Sequence, residues 1–130
     1  MNKKKELRQR VWFKYDRHCA YCGKVLEYKD MQVDHMISKY EVETYRNPEI
    51  AYSELNSFGN LMPSCRRCNH YKRDAGLERF RELMETLHKR ITGQYTIKVA
   101  IDYGIINGIK PFDGIFYFEK GRKRKTEYDK

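Results

Sequence analysis

The 130-residue sequence lacks any apolar run of the roughly 18 to 20 residues that a membrane-spanning helix requires. Its opening residues, MNKKKELRQR, also lack the apolar segment of a secretory signal. These absences argue against a membrane protein and lead us to expect a cytoplasmic one. The length favours one compact domain, so any functional site must share its framework with the fold.

Acidic residues are too few to balance the basic ones. The chain has 27 lysines and arginines against 18 aspartates and glutamates, which gives a formal charge of +9 at pH 7. Most of the excess lies in two terminal stretches, residues 1–10 and 120–130. Basic arms of this kind predict a polyanionic partner that is held through sequence-independent contacts to phosphates. Lysine-rich termini can also serve solubility alone, and the charge by itself does not separate the two interpretations.

Cysteine is scarce, and its four copies form two C-x-x-C pairs, Cys19 with Cys22 and Cys65 with Cys68. A reducing cytoplasm disfavours disulfides, and four thiolates are the complete ligand set of a tetrahedral structural Zn²⁺ ion. Gly23 permits the tight turn that such a zinc knuckle needs after its second cysteine. Neither pair is expected to follow a strand and open a helix, as a thioredoxin-like redox motif would. The sequence therefore predicts one structural zinc site.

The first half of the chain is predicted to hold short elements. An amphipathic helix is expected over residues 5–15 and a strand over 32–38, each from its apolar periodicity. Pro48 can open a short helix that runs through Leu55. A second strand is expected over 58–63, and a helical stretch over 68–73.

The second half is predicted to be mainly helical. The clearest helix follows Asp74 as its cap, carries its apolar residues three and four apart, and ends at Gly93. Residues 95–106 fit either a helix or a strand, and the helix is favoured. A terminal strand is expected over 115–118.

Between the two cysteine pairs lie Asp34-His35 and the run Asn60-Leu61-Met62-Pro63, and the second pair continues directly into Asn69 with Lys72 three residues later. This order and spacing, over roughly residues 16–73, resembles the HNH endonucleases. The resemblance implies an α+β fold: a small ββα-metal (His-Me finger) core with a four-cysteine zinc site, flanked by helices.

Residue roles follow from the positions that match the family motif. The resemblance implies that His35 is the catalytic general base, which takes a proton from the attacking water. Asp34 and Asn69 are expected to bind one catalytic Mg²⁺ or Mn²⁺ ion through oxygen atoms. Asn60 is expected to brace the loop that carries the base. Many family members have histidine at the last position, and His70 is the alternative third member of the site if the register shifts by one.

Basic side chains cluster around the second cysteine pair, and we expect them to contact DNA phosphates close to the cleavage position. They are Arg66, Arg67, Lys72 and Arg73. The insert formed by residues 41–57 includes instead an acidic stretch that would repel DNA. We therefore expect this insert to face away from the duplex or to contact a protein partner.

The chain is predicted to consist of a basic N-terminal helix or arm (1–15), an HNH nuclease core with the zinc knuckles (16–92), a C-terminal α/β extension packed on the core (93–119) and a basic tail (120–130). The expected function is metal-dependent hydrolysis of phosphodiester bonds in DNA. The alternative is a catalytically silent, zinc-stabilised module of the same shape that binds nucleic acid or protein, such as a phage-borne inhibitor of a host nuclease. The presence of Asp34, His35 and Asn69 together favours the enzyme.

Overall fold

The structure is a computed structural model, and it describes residues 2–45 and 52–120. The chain divides into two compact units. The first contains the described residues up to Leu77 and again those from Phe116, and the second is Glu78–Ile115. This division differs from the predicted boundaries, because residues 78–92 fall in the second unit and the chain returns to the first unit at Phe116.

The first unit begins with helix α1, Lys3–Phe13, close to the predicted bounds. Asn2 caps it by accepting a hydrogen bond from the backbone N–H of Lys4 at 2.8 Å. Trp12 donates from Nε1 to the carbonyl of Leu26 at 2.9 Å, and Lys14 donates from Nζ to the carbonyls of Phe58 and Leu61. These bonds attach the N-terminal helix to the segments that lead into both strands.

The sheet of the described residues has two antiparallel strands, β1 (Gln32–His35) and β2 (Leu61–Ser64). In their register Asp34 pairs with Met62 and His35 with Leu61. Both strands were predicted, but each is shorter than expected. Strand β1 ends at His35, and residues 58–60 form a 3₁₀ turn that precedes β2.

Helix α2, Lys39–Tyr45, was not predicted. Its start is stabilised by a capping box in which Ser38 Oγ accepts from the N–H of Glu41 and Glu41 Oε1 accepts from the N–H of Ser38, both at 3.0 Å. The helix expected after Pro48 lies partly outside the described residues, and residues Tyr52–Glu54 form a single 3₁₀ turn.

Helix α3, Arg66–Lys72, follows β2 and completes a ββα unit. It begins two residues earlier than predicted because Cys65 acts as its N-cap, accepting at Sγ from the N–H of Cys68 at 3.3 Å. The second cysteine pair therefore follows a strand and opens a helix, which corrects the expectation that neither pair does so.

The second unit is helical. The predicted long helix is interrupted at Thr86 into α4 (Leu77–Glu85) and α5 (Leu87–Thr92). There Thr86 donates from Oγ1 to the carbonyl of Leu83 at 3.1 Å, a side-chain bond that competes with regular helical pairing. Helix α6 covers Tyr95–Asp102, so the favoured helix prediction is confirmed for this segment.

The terminal strand predicted over 115–118 is wrong, because residues 117–120 are helical. Glu119 Oε1 accepts from the N–H of Phe116 at 2.9 Å, a bond from the third residue back to the start of a helical turn. The segment still contacts the first cysteine pair, since Tyr117 and Phe118 donate from their N–H groups to the carbonyls of Tyr21 and Ala20.

The core of the first unit surrounds the two strands and the first cysteine pair. Its buried apolar residues are Val11, Cys19, Ala20, Tyr21, Leu26, Met31, Leu55, Leu61, Met62, Cys65, Phe116 and Phe118. The architecture is thus α+β, with a small antiparallel sheet among helices. Among the described residues, no helix has the length and apolar character to cross a membrane.

Candidate active site and metal centre

The four cysteines converge on one point. The sulfur atoms of Cys19, Cys22, Cys65 and Cys68 all lie within 4.8 Å of one another. Zinc bound by thiolates has Zn–S bonds of about 2.3 Å, which places neighbouring sulfurs of a tetrahedron about 3.8 Å apart. The Cys22 and Cys65 sulfurs are 3.9 Å apart. This set of donors fits a structural Zn²⁺ ion.

Local backbone geometry explains why the first pair can reach the centre. The N–H of Gly23 donates to the carbonyl of Cys19 at 3.0 Å, and the N–H of Cys19 donates to the carbonyl of Lys24 at 2.7 Å. Gly23 has φ +82°, and a Cβ there would come within 2.9 Å of the Tyr117 ring. Glycine is therefore required by both its torsion and its surroundings.

Without a metal, hydrogen bonds between the cysteines shift the pKa values of their thiols. Hydrogen bonds from Cys22 and Cys68 lower the pKa of Cys19. Its bond to Cys19 raises the pKa of Cys22 to about 11, and bonding to Cys19 and Cys22 raises the pKa of Cys68. A bound cation would replace these protons, because only thiolates coordinate zinc.

Asp34 lies on β1 with its carboxylate almost completely buried, at 7% exposure. Its Oδ2 atom accepts a hydrogen bond from the hydroxyl of Tyr21 at 2.5 Å and forms an ion pair with Lys72 Nζ at 3.0 Å. Both contacts are made by Oδ2, so Oδ1 takes part in neither. Burial, together with the negative charge of Asp34, raises the pKa of Tyr21 well above its usual value, so this phenol stays protonated as a donor.

Lys72 is a structural cation of the site. Its side chain is fully buried, and besides Asp34 its Nζ donates to the backbone carbonyls of His35 at 3.0 Å and Ala75 at 2.6 Å. The predicted phosphate contact of Lys72 is therefore corrected, because a buried ammonium with three protein partners is not available to DNA. Arg66, Arg67 and Arg73 have exposed side chains, as phosphate contacts require, and their role stays a prediction.

His35 lies at the end of β1, and its imidazole points towards the end of the 41–57 insert. Nε2 lies 2.7 Å from Oδ1 of Asn56. An amide oxygen only accepts hydrogen bonds, so Nε2 carries the proton and Nδ1 is the basic nitrogen of the neutral ring. Asn56 belongs to the insert, so one end of the insert contacts the candidate base. That the insert faces away from the duplex or contacts a protein partner stays a prediction.

Asn60 is buried, and its side chain bonds to the backbone of the loop that follows His35 and to the backbone of Leu55. Its Oδ1 accepts from the N–H of Ile37 at 2.8 Å, and its Nδ2 donates to the carbonyls of Ile37 and Leu55, both at 2.9 Å. The carbonyl of Asn60 also accepts from the N–H of Met36 at 2.9 Å. These contacts are what a bracing residue would make.

Asn69 lies on α3 and reaches across to β1. Its Nδ2 donates to Gln32 Oε1 at 2.6 Å. Gln32 and Asp34 are two residues apart on one strand, so they share a face of the sheet. The side chain of His70 is exposed instead. The oxygens left out of these contacts, Oδ1 of Asp34 and Oδ1 of Asn69, are hard donors suited to a divalent cation such as Mg²⁺ or Mn²⁺.

Three residues of the site were missed in the sequence. Tyr21 and Asn56 contact Asp34 and His35 from distant positions, and no local pattern marks such contacts. Gln32 had a usable signal, because a polar residue two positions before Asp34 must lie on the same strand face.

A two-stranded antiparallel sheet, the helix that follows it and a four-cysteine metal centre together define a ββα-metal fold. Residues 19–74 match the family model described as HNH endonuclease. This stretch of the chain, which holds the ββα unit and both cysteine pairs, is thus similar to the HNH endonuclease domain. A search of the curated proteins and a search of the solved structures gave no match.

Proposed function

We propose that the protein is a metal-dependent endonuclease that hydrolyses phosphodiester bonds in DNA. The observation that carries the proposal is the bond between Asn69 and Gln32, because it puts the Asn69 amide on the face of β1 that bears Asp34. The Asp34 carboxylate and the Asn69 amide oxygen are the proposed ligands of one hard cation, and the imidazole of His35 is the proposed base. The similarity of residues 19–74 to the HNH endonuclease family model supports the same chemistry.

In the proposed reaction, Nδ1 of His35 takes a proton from a water molecule whose oxygen attacks the phosphorus. The bond from phosphorus to the 3′ oxygen breaks, and the leaving oxygen takes a proton from solvent, which gives a 3′ hydroxyl and a 5′ phosphate. Asn56 holds the His35 ring by its opposite nitrogen, and Asn60 holds the loop beyond it. The divalent cation held by Asp34 and Asn69 would stabilise charge on the phosphate and on the leaving oxygen.

The zinc centre has a structural role in this proposal. Four cysteine ligands leave no open coordination position, so a zinc ion there cannot activate water. It joins the segment before β1 to the helix after β2 and thereby fixes Asn69, which directly follows Cys68. Exposed arginines around the second cysteine pair would hold the DNA backbone, with affinity that falls steeply as salt rises.

One observation favours the second candidate function, a silent binding module. The charge of Asp34 is already neutralised by Lys72 at 3.0 Å, so the fold does not need a second cation to bury this carboxylate. Against it, Oδ1 of Asp34 and Oδ1 of Asn69 lie outside the hydrogen bonds described above, and a module that only binds has no need of either oxygen.

The test is a plasmid-nicking assay of the zinc-loaded protein with Mg²⁺ or Mn²⁺. We expect nicking by the wild type and a loss of at least about a hundredfold in His35→Ala, since a positioned general base contributes about 10² to 10⁴ in rate. His88→Ala, on α5, is the matched control and should retain wild-type activity. No cleavage with any divalent cation, or equal cleavage by His35→Ala, would refute the enzyme and leave the binding module.

A further inference from the structure

Each cysteine pair delivers one side chain to the same carboxylate oxygen. Tyr21 stands between Cys19 and Cys22, and its hydroxyl reaches Oδ2 of Asp34 at 2.5 Å. Lys72 is the last residue of α3, the helix capped by Cys65, and its Nζ reaches the same Oδ2 at 3.0 Å. The two knuckles therefore meet at Asp34 as well as at the zinc centre.

These contacts are buried, so water does not compete for them. Tyr21 is 4%, Asp34 7% and Lys72 2% exposed. Lys72 is fixed further by the carbonyls of His35 and Ala75, which makes it part of the frame. An ammonium held at three points is a poor candidate for a temporary occupant of a cation position.

Because Oδ2 accepts both donors, the carboxylate has one defined rotation about its Cβ–Cγ bond. We propose that Tyr21 and Lys72 are positioning residues, which hold the Asp34 carboxylate by Oδ2 so that Oδ1 is available to the divalent cation. Lys72 fixes the backbone of His35 as well, and so sets the metal ligand and the general base relative to each other. This inference rests on the proposed function, since it assigns Asp34 to the catalytic cation.

Tyr21 and Lys72 also connect the four-cysteine centre to the proposed cation position at Asp34. A zinc ion held by the four cysteines would order the turn that contains Tyr21 and the helix that ends at Lys72, and these two residues contact Asp34. In metal sites, partners that orient a ligand typically change affinity or activity by about 10- to 100-fold when they are removed. The effect should therefore appear in the affinity for the catalytic cation.

The sharpest variant is Tyr21→Phe, because it removes only the hydroxyl and keeps the ring in the core. Tyr28→Phe is the matched control: Tyr28 also belongs to the first unit, but its ring packs against Trp12 and Arg8. Mn²⁺ binding is measured by electron paramagnetic resonance on zinc-loaded protein, and Asp34→Ala gives the background from other sites. Zinc content is measured for each variant.

We expect Tyr21→Phe to retain one zinc per chain and to bind Mn²⁺ about 10- to 100-fold more weakly than the wild type and Tyr28→Phe. In the nicking assay, its half-saturating Mn²⁺ concentration should rise by a similar factor, while the rate at saturating Mn²⁺ stays within a few-fold of the wild type. A purely structural role would not divide the two quantities in this way.

Two results would overturn the inference and leave the nuclease standing: unchanged Mn²⁺ affinity in Tyr21→Phe, or loss of zinc, which would show that the hydroxyl serves the knuckle itself. If the wild type neither binds Mn²⁺ above the Asp34→Ala background nor nicks DNA, the proposed function fails and this inference fails with it.

Discussion

Asn69 and Gln32 are joined by a hydrogen bond of 2.6 Å from the Asn69 amide Nδ2 to the Gln32 side-chain oxygen. The bond ties helix α3 to strand β1 at the residue two positions before Asp34. It bears on the choice between Asn69 and His70, because the side chain of Asn69 is directed to this strand face while that of His70 is exposed. We therefore retain Asn69 as the proposed third member of the site.

Substitutions of Asn69 and of His70 should show which of the two belongs to the site. We expect Asn69→Ala to lower nicking by about 10- to 100-fold or more, because it removes an oxygen ligand of the proposed cation. Asn69→Asp keeps an oxygen at the same place and should recover much of the rate. His70→Ala should stay within about threefold of the wild type. Measurement of nicking against Mn²⁺ concentration distinguishes these outcomes, and a larger loss in His70→Ala than in Asn69→Ala would reverse the assignment.

A second prediction concerns the stability contributed by the Asp34–Lys72 pair. Lys72→Met should destabilise the fold by about 3 to 5 kcal/mol, because it leaves a buried carboxylate without its cation. Asp34→Asn combined with Lys72→Met should recover a large part of this loss, since neither charge is then present. Urea denaturation of the zinc-loaded single and double variants gives the three free energies of unfolding. Additive losses would show that the two residues do not interact across the 3.0 Å contact.

The features of the site that could be predicted are those marked by short motifs, whose residues lie close together in the sequence. The spacing of Cys19, Cys22, Cys65 and Cys68 predicted their convergence, because zinc demands four ligands and the chain has four cysteines. Both strands were predicted from their apolar residues, although turn contacts shortened them.

The remaining features depend on contacts between distant residues. The burial of Lys72 could not be predicted, because a lysine four residues after a cysteine pair is usually solvated. Its partners Asp34 and His35 lie 37 or more positions away and meet it only after β2 has paired with β1. The same holds for Asn56, which contacts His35 from 21 positions away in the sequence.

A third prediction concerns proton release when zinc binds. In the folded chain without zinc the pKa of Cys22 is raised to about 11 and that of Cys68 is raised as well, whereas that of Cys19 is lowered. In an unfolded chain a cysteine pKa is about 8.5, so Cys22 and Cys68 are protonated at pH 7 whether or not the fold is kept. Zinc binding should therefore release protons, and the apparent affinity for zinc should fall as pH falls. Calorimetry in buffers of different ionisation enthalpy counts the protons. Zinc affinity that does not change between pH 8 and pH 6 would contradict this prediction.

Removal of zinc should also unfold the protein. Cys65 is buried and caps α3, so we expect Cys65→Ser to lose the metal and the cooperative unfolding transition together. Addition of a strong zinc chelator to the wild type should give the same result. A chelated protein that remains folded by circular dichroism would show that the centre does not maintain the fold.

The last prediction separates the two halves of the proposed site, the base and the cation ligands. Among the described residues of the proposed site, Asn56 bonds only to His35, at 2.7 Å. This bond fixes which ring nitrogen of His35 carries the proton. Asn56→Ala should lower the maximum nicking rate by about tenfold, since the ring loses its orientation and some of the benefit of a positioned base. The half-saturating Mn²⁺ concentration should remain unchanged, which is the reverse of the result expected for Tyr21→Phe. Ser57→Ala, at the exposed neighbouring position, is the control and should match the wild type in both quantities. If Asn56→Ala instead weakens Mn²⁺ saturation and leaves the maximum rate intact, Asn56 acts on the cation and His35 is not oriented by it.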